Sequence, residues 1–144
     1  METVKQQIID FFAAKKLEVE FESSLCGFSA YVRDMVFVGR KVESVLIHWY
    51  ENSNRNMLSV TMMYDTVLIT PQLRRAVNLY NTKTSCWKAL LNDDDEDERP
   101  FLSFDCDFRL IQQDRVGEIL TSLFDDLVDD DNEDCFFELL NSQN

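Results

Sequence analysis

Residues 45–50 and 58–64 alternate apolar and polar side chains in a way that only one pairing register satisfies. Val45, Ile47 and Trp49 share one face of the first stretch, with Leu46, His48 and Tyr50 on the other. Leu58, Val60, Met62 and Tyr64 share one face of the second. The polar run 51–56 (ENSNRN) between them predicts a turn. Setting Trp49 opposite Leu58 puts Ile47 opposite Val60 and Val45 opposite Met62. A slip of one residue sets apolar against polar throughout. The chain is thereby committed to an antiparallel sheet with one apolar face, and other elements must cover that face.

The rest of the sequence supplies both strands and covers. Val4, Ile8, Phe11 and Phe12 recur at helical spacing and predict an amphipathic helix over about 3–15. Leu17, Val19 and Phe21 alternate with Glu18, Glu20 and Glu22, a half-buried strand with its glutamates outward. Residues 23–27 read as a turn. Phe28, Ala30 and Val32 continue at period two, Val36 and Val38 resume it after Asp34, and 39–41 form the next turn. Thr70 and Pro71 open a second helix as N-cap and first helical residue, with Leu73, Val77 and Tyr80 on its apolar face. It ends in the poor helix formers of 81–85. Trp87, Ala89 and Leu91 pair with Cys106, Phe104 and Leu102, which turns Cys86 away from Cys106, so no disulfide is expected between them. Asp114 suits an N-cap for a third helix, whose stripe is Val116, Ile119, Leu120, Leu123, Phe124, Leu127 and Val128. The run 129–134 (DDDNED) interrupts that helix.

The expected fold is α+β: helix, antiparallel meander, helix, β-hairpin, C-terminal helix, about six strands in all, with the helices on one face of the sheet. All of 1–144 reads as one domain, with the acidic segment 129–144 as a candidate separate helix. At 144 residues and 45% hydrophobic, the chain is long and apolar enough for one core. No apolar run approaches the ~20 residues of a membrane helix. An acidic Glu2 with no long apolar run after it does not fit a signal peptide.

Charge narrows the partners. Residues 1–91 hold 11 Lys/Arg and 9 Asp/Glu, a balance of +2; residues 92–144 hold 3 and 18, a balance of −15. Such a field repels nucleic-acid phosphates and anionic membranes and favours a basic protein segment. Cys26, Cys86, Cys106 and Cys135 form no CxxC pair, so no structural zinc site is predicted, and free thiols are expected in a cytoplasmic setting.

The order of elements resembles the YbjN family of bacterial sensory-transduction regulators, which shares the fold of type III secretion chaperones. The resemblance spans roughly Val4 to Val128. It is carried by the first helix leading into Leu17-Glu18-Val19-Glu20-Phe21, by Leu58-Ser59-Val60-Thr61-Met62, by residues 74–81 (RRAVNLYN) before Trp87-Lys88-Ala89-Leu90-Leu91, and by Gly117-Glu118-Ile119-Leu120. It implies homodimers and protein binding, and it transfers no catalytic residue.

Weighed one by one, the polar motifs carry no chemistry. The run 93–98 (DDDEDE) reads as a solvated hairpin turn. An EF-hand over 129–140 fails, because Asp134 stands where glycine is needed and Leu140 where the bidentate glutamate belongs. His48 falls beside Ser59 with no assignable triad. Cys106, between Asp105 and Asp107, is a core thiol rather than a nucleophile. Arg74, Arg75 and Lys83 form a modest basic cluster on a solvated helix face. The candidate partner-binding residues are Phe136, Phe137, Leu139 and Leu140, an apolar patch near the C-terminus. The expectation is a non-catalytic, protein-binding regulator or chaperone-like adaptor that acts as a homodimer in the cytoplasm, holds no cofactor and no metal, and binds neither nucleic acid nor membrane. The alternative is a sensor domain for a small molecule or a divalent ion, motivated by the acidic runs.

Overall fold

The computed structural model describes residues 1–52, 55–65, 67–82, 86–92, 100–110 and 112–134. The chain runs α1 (Glu2–Ala13), β1 (Glu20–Ser24), β2 (Gly27–Val32), β3 (Val36–Phe37), β4 (Arg40–Lys41), β5 (Ser44–Asn52), β6 (Arg55–Asp65), α2 (Pro71–Thr82), β7 (Lys88–Asn92), β8 (Phe101–Leu110), a 3-10 turn (Gln113–Arg115) and α3 (Val116–Asp134). Six strands form one sheet in the order β1-β2-β5-β6-β8-β7, and β3 with β4 forms a separate ribbon. Every recorded pairing is antiparallel. The α+β class and the expected order of elements are therefore met.

The registers follow the alternation. Trp49 faces Leu58, Ile47 faces Val60 and Val45 faces Met62, while Leu91 faces Leu102 and Ala89 faces Phe104. The second hairpin docks by its later strand, β8 against β6, so Phe108, Cys106, Phe104 and Leu102 fall opposite Leu58, Val60, Met62 and Tyr64. The sheet's inner face is thereby almost wholly apolar, and its side chains are buried.

All three helices cover that inner face. Phe11 of α1 stacks on Phe124 of α3, with ring centroids 5.6 Å apart. Tyr80 of α2 meets Phe104 edge-on at 5.7 Å. Trp87, fully buried, donates its indole N–H to the Leu123 carbonyl at 2.7 Å, which ties the entry of β7 to α3. Thr70 caps α2 as expected: its Oγ1 accepts the Leu73 N–H at 3.1 Å. No helix among the described residues is long and apolar enough to cross a membrane.

Several expectations need correction. The acidic residues 129–134 do not interrupt α3, which runs on through Asp134. Aspartates are poor helix formers, but the buried stripe Leu120, Leu123, Phe124 and Leu127 anchors the helix ahead of them. Residues 135–144, the rest of the candidate separate helix over 129–144, lie outside the described residues. Asp114 sits inside the 3-10 turn rather than at an N-cap. Gln7 of α1 supplies the missing acceptor: its Oε1 takes the Gly117 N–H at 2.9 Å, and its Nε2 donates to the Gln113 carbonyl at 2.7 Å. Period two does not resume at Val36, which is 64% exposed, whereas Phe37 is buried. Asp34 at φ 64° bends the chain, and Val38 (φ 49°) with Gly39 (φ 80°) makes a two-residue turn in which both residues are left-handed. Arg40 and Lys41 are consequently a strand, not the turn expected at 39–41. The first strand also starts late, at Glu20, although Leu17, Val19 and Phe21 do pack against the core. The turn after it shrinks to Leu25 and Cys26, with Ser24 paired to Gly27.

Candidate interaction surface

Period two sends every second side chain of the sheet away from the helices. On β5 these are Leu46, His48 and Tyr50, and on β6 they are Met57, Ser59, Thr61 and Met63. Pairing aligns them into rows across the strands. One row reads Glu22, Ser29, His48, Ser59, Asp107; the next reads Glu20, Tyr31, Leu46, Thr61, Asp105, Lys88. Each row therefore has a carboxylate on β1 and another on β8. Four strand spacings separate them, about 19 Å. Between them lie half-exposed Tyr31 and Leu46, and the adjoining row reads Ser24, Gly27, Tyr50 (38% exposed), half-exposed Met57 and Arg109. Aromatic, thioether and hydroxyl groups thus share this face with carboxylates on β1 and β8, with Arg109 on β8 and with Lys88 on β7.

His48 lies at the centre of this face, opposite Ser59 as the alternation predicts. Its ring stacks on Tyr50, with centroids 5.9 Å apart, and its Nδ1 shares a 2.8 Å hydrogen bond with Ser29 Oγ. That bond ties the imidazole of β5 to β2. The sequence alone does not disclose Ser29 as the partner, because the β2–β5 pairing joins segments across the β3–β4 ribbon. Ser29 sits on Nδ1, and Asp107 is two strands away in the same row, so the geometry positions the ring without forming a nucleophile–base–carboxylate relay.

The thiols divide by burial. Cys106 is 2% exposed, and its thiol is pushed up to about 12, chiefly by burial and then by Cys86, Asp107 and Asp126. It is a core group, as its place in the alternation implies. Cys26 and Cys86 are exposed, and all three described cysteines are free. Among the described residues no group of three His, Cys, Asp or Glu side chains stands together that could hold a metal ion.

Two grooves flank the sheet. One, of about 390 Å³, runs past Lys16, Glu18, Glu20, Tyr31, Arg33 and Asp34 at the end of β1. The other, of about 290 Å³, separates α2 from β7 and is lined by Arg74, Asn78, Asn81 and Leu90 among others. Arg75 opens onto a different side of α2, beside Gln72 and Leu79. Arg74 and Arg75 therefore do not converge on one anion, and Lys83 lies outside the described residues. So do the acidic run 93–98 and the apolar residues Phe136, Phe137, Leu139 and Leu140. No family model, no curated protein and no solved structure matches the chain.

Proposed function

We propose that this chain is a non-catalytic, protein-binding regulator or adaptor that acts as a homodimer. The observation that carries the reading is the sheet's outer face, where Tyr31 and Leu46 stand between the carboxylates of β1 and β8 and Tyr50 and Met57 lie in the adjoining row that ends on Arg109, while the helices occupy the other side. A net charge of −13 adds long-range attraction for basic protein segments. The resemblance to YbjN regulators and secretion chaperones supports the same reading, both for protein binding and for pairing of two copies.

Light scattering at high micromolar concentration tests the dimer. A particle of twice the 16.9 kDa chain mass supports it, and a particle of 16.9 kDa removes it. Binding through the outer face is tested by replacing Tyr31 and Tyr50 with serine. The double variant keeps the parent's melting temperature, because neither ring is in the core, and loses its protein partner.

A further inference from the structure

We propose that β1 is a pairing edge that takes up an extended, basic segment of another protein as a seventh strand. This rests on the protein-binding reading above and specifies where the partner binds and what its chemistry is. The two edges of the sheet are not equivalent. At β7 the Asn81 side chain donates its Nδ2 to the Ala89 carbonyl and accepts the Ala89 N–H on its Oδ1, both at 2.8 Å. An amide so placed imitates the next strand and blocks that edge. Among the described residues no side chain covers β1 in this way.

The hairpin fixes which backbone groups of β1 are available. A two-residue turn makes Ser24 and Gly27 a bonded pair, so Glu22 and Glu20 direct their backbone groups at β2. Phe21 and Ser23 then direct theirs outward. Among the described residues no hydrogen bond reaches the Phe21 or Ser23 backbone from that side. An incoming strand pairs with these two residues by main-chain hydrogen bonds, the general mode of strand addition.

Charge defines the incoming side chains. Glu20 and Glu22 stand two residues apart on the outer face, and neither forms an ion pair among the described residues. Side chains directly opposite on paired strands lie about 5 Å apart. Lys or Arg at alternate positions of the partner therefore meets both glutamates. The intervening positions fall on the inner side, beside partly buried Val19 and Phe21, and suit apolar residues.

The test uses the full chain and a fluorescent, capped peptide of sequence Thr-Lys-Val-Lys-Val-Lys-Thr, with a second peptide N-methylated at both valines. Fluorescence anisotropy should show saturable, salt-sensitive binding of the first peptide and about tenfold or greater weakening for the second, since methylation removes the pairing N–H groups. Ser23→Pro should weaken the first peptide similarly. Its lost N–H faces outward, so the β1–β2 ladder and the melting temperature are kept. Glu20→Gln with Glu22→Gln should flatten the salt dependence. Equal binding of the two peptides overturns the edge while leaving protein binding elsewhere on the chain intact. No binding of the first peptide at about 1 mM also overturns the edge, and capture of a natural partner by the parent chain then shows that only the edge has failed.

Discussion

Replacing Gly27 with alanine adds one methyl group at the place where β2 approaches β5 most closely. A Cβ built on Gly27 falls 1.7 Å from the Trp49 carbonyl oxygen, with the Trp49 carbonyl carbon at 2.8 Å and the Tyr50 Cα at 3.2 Å. That is roughly 1.6 Å inside the ~3.3 Å at which a carbon meets a carbonyl oxygen. All three obstacles are backbone, so no side chain can swing aside. The strands must separate locally, straining the adjacent bond from the Glu51 N–H to the Cys26 carbonyl (2.8 Å). Overpacking with backbone displacement costs about 1–3 kcal/mol, and a weakened ladder bond about 1 more. We expect a loss of about 3 kcal/mol, which lowers Tm by about 10 °C in a chain of this size. Gly117→Ala is the matched control. Its added Cβ meets Gln7 Oε1 at 3.7 Å, an ordinary contact, within the first turn of α3. There alanine should stabilise by up to ~1 kcal/mol. Calorimetry and urea unfolding of both variants give the answer. A Gly27→Ala chain melting within about 2 °C of the parent would refute the close approach of β2 and β5.

Four further outcomes follow from other features of the fold. Asn81→Ala leaves both backbone groups of Ala89 without partners and should cost about 1–3 kcal/mol. It also opens the β7 edge, so light scattering should detect concentration-dependent association beyond that of the parent. Gln7→Leu orphans the Gly117 N–H and the Gln113 carbonyl and should cost about 1–3 kcal/mol by urea unfolding. Gln7→Glu keeps an acceptor at the positive end of α3 and should cost less. A thiol reagent at neutral pH should label Cys26 and Cys86 in the native chain and reach Cys106 only on unfolding. In the alkaline range, the unfolded chain releases the Cys106 proton near 9, while the folded chain keeps it to about 12. The contribution of this thiol is therefore fully present below about pH 9 and is lost as pH rises toward 12, by about 1.4 kcal/mol per unit. Cys106→Ala should show a shallower alkaline decline.

What the sequence disclosed and what it hid have physical causes. The Trp49–Leu58 register is legible because a one-residue slip would turn every buried side chain of β5 and β6 to the other face. The start of α2 is legible because Thr70 and Pro71 act within a single turn. Features set by distant contacts were not legible. Nothing near Asp114 signals that Gln7, more than a hundred residues earlier, supplies the acceptor at the start of α3. Nor does any local pattern show that Asn81 seals β7 or that Ser29 holds His48. The stretch around Val36 misled because its valines match a strand pattern, while the left-handed turn at Val38 and Gly39 sets the true phase. The outer face itself was half legible. Alternation places Leu46, His48 and Tyr50 together, but only the strand order β1-β2-β5-β6-β8-β7 brings Tyr31 and the flanking carboxylates beside them.

Protein capture through the outer face tests the proposed function most directly. Immobilised parent chain and the Tyr31→Ser, Tyr50→Ser double variant, matched in melting temperature, are exposed to lysate of the source organism, and retained proteins are identified by mass spectrometry. One dominant protein is expected on the parent, absent from the double variant and released by added salt. Equal retention by both chains, or no protein above background on the parent, would contradict the proposed function.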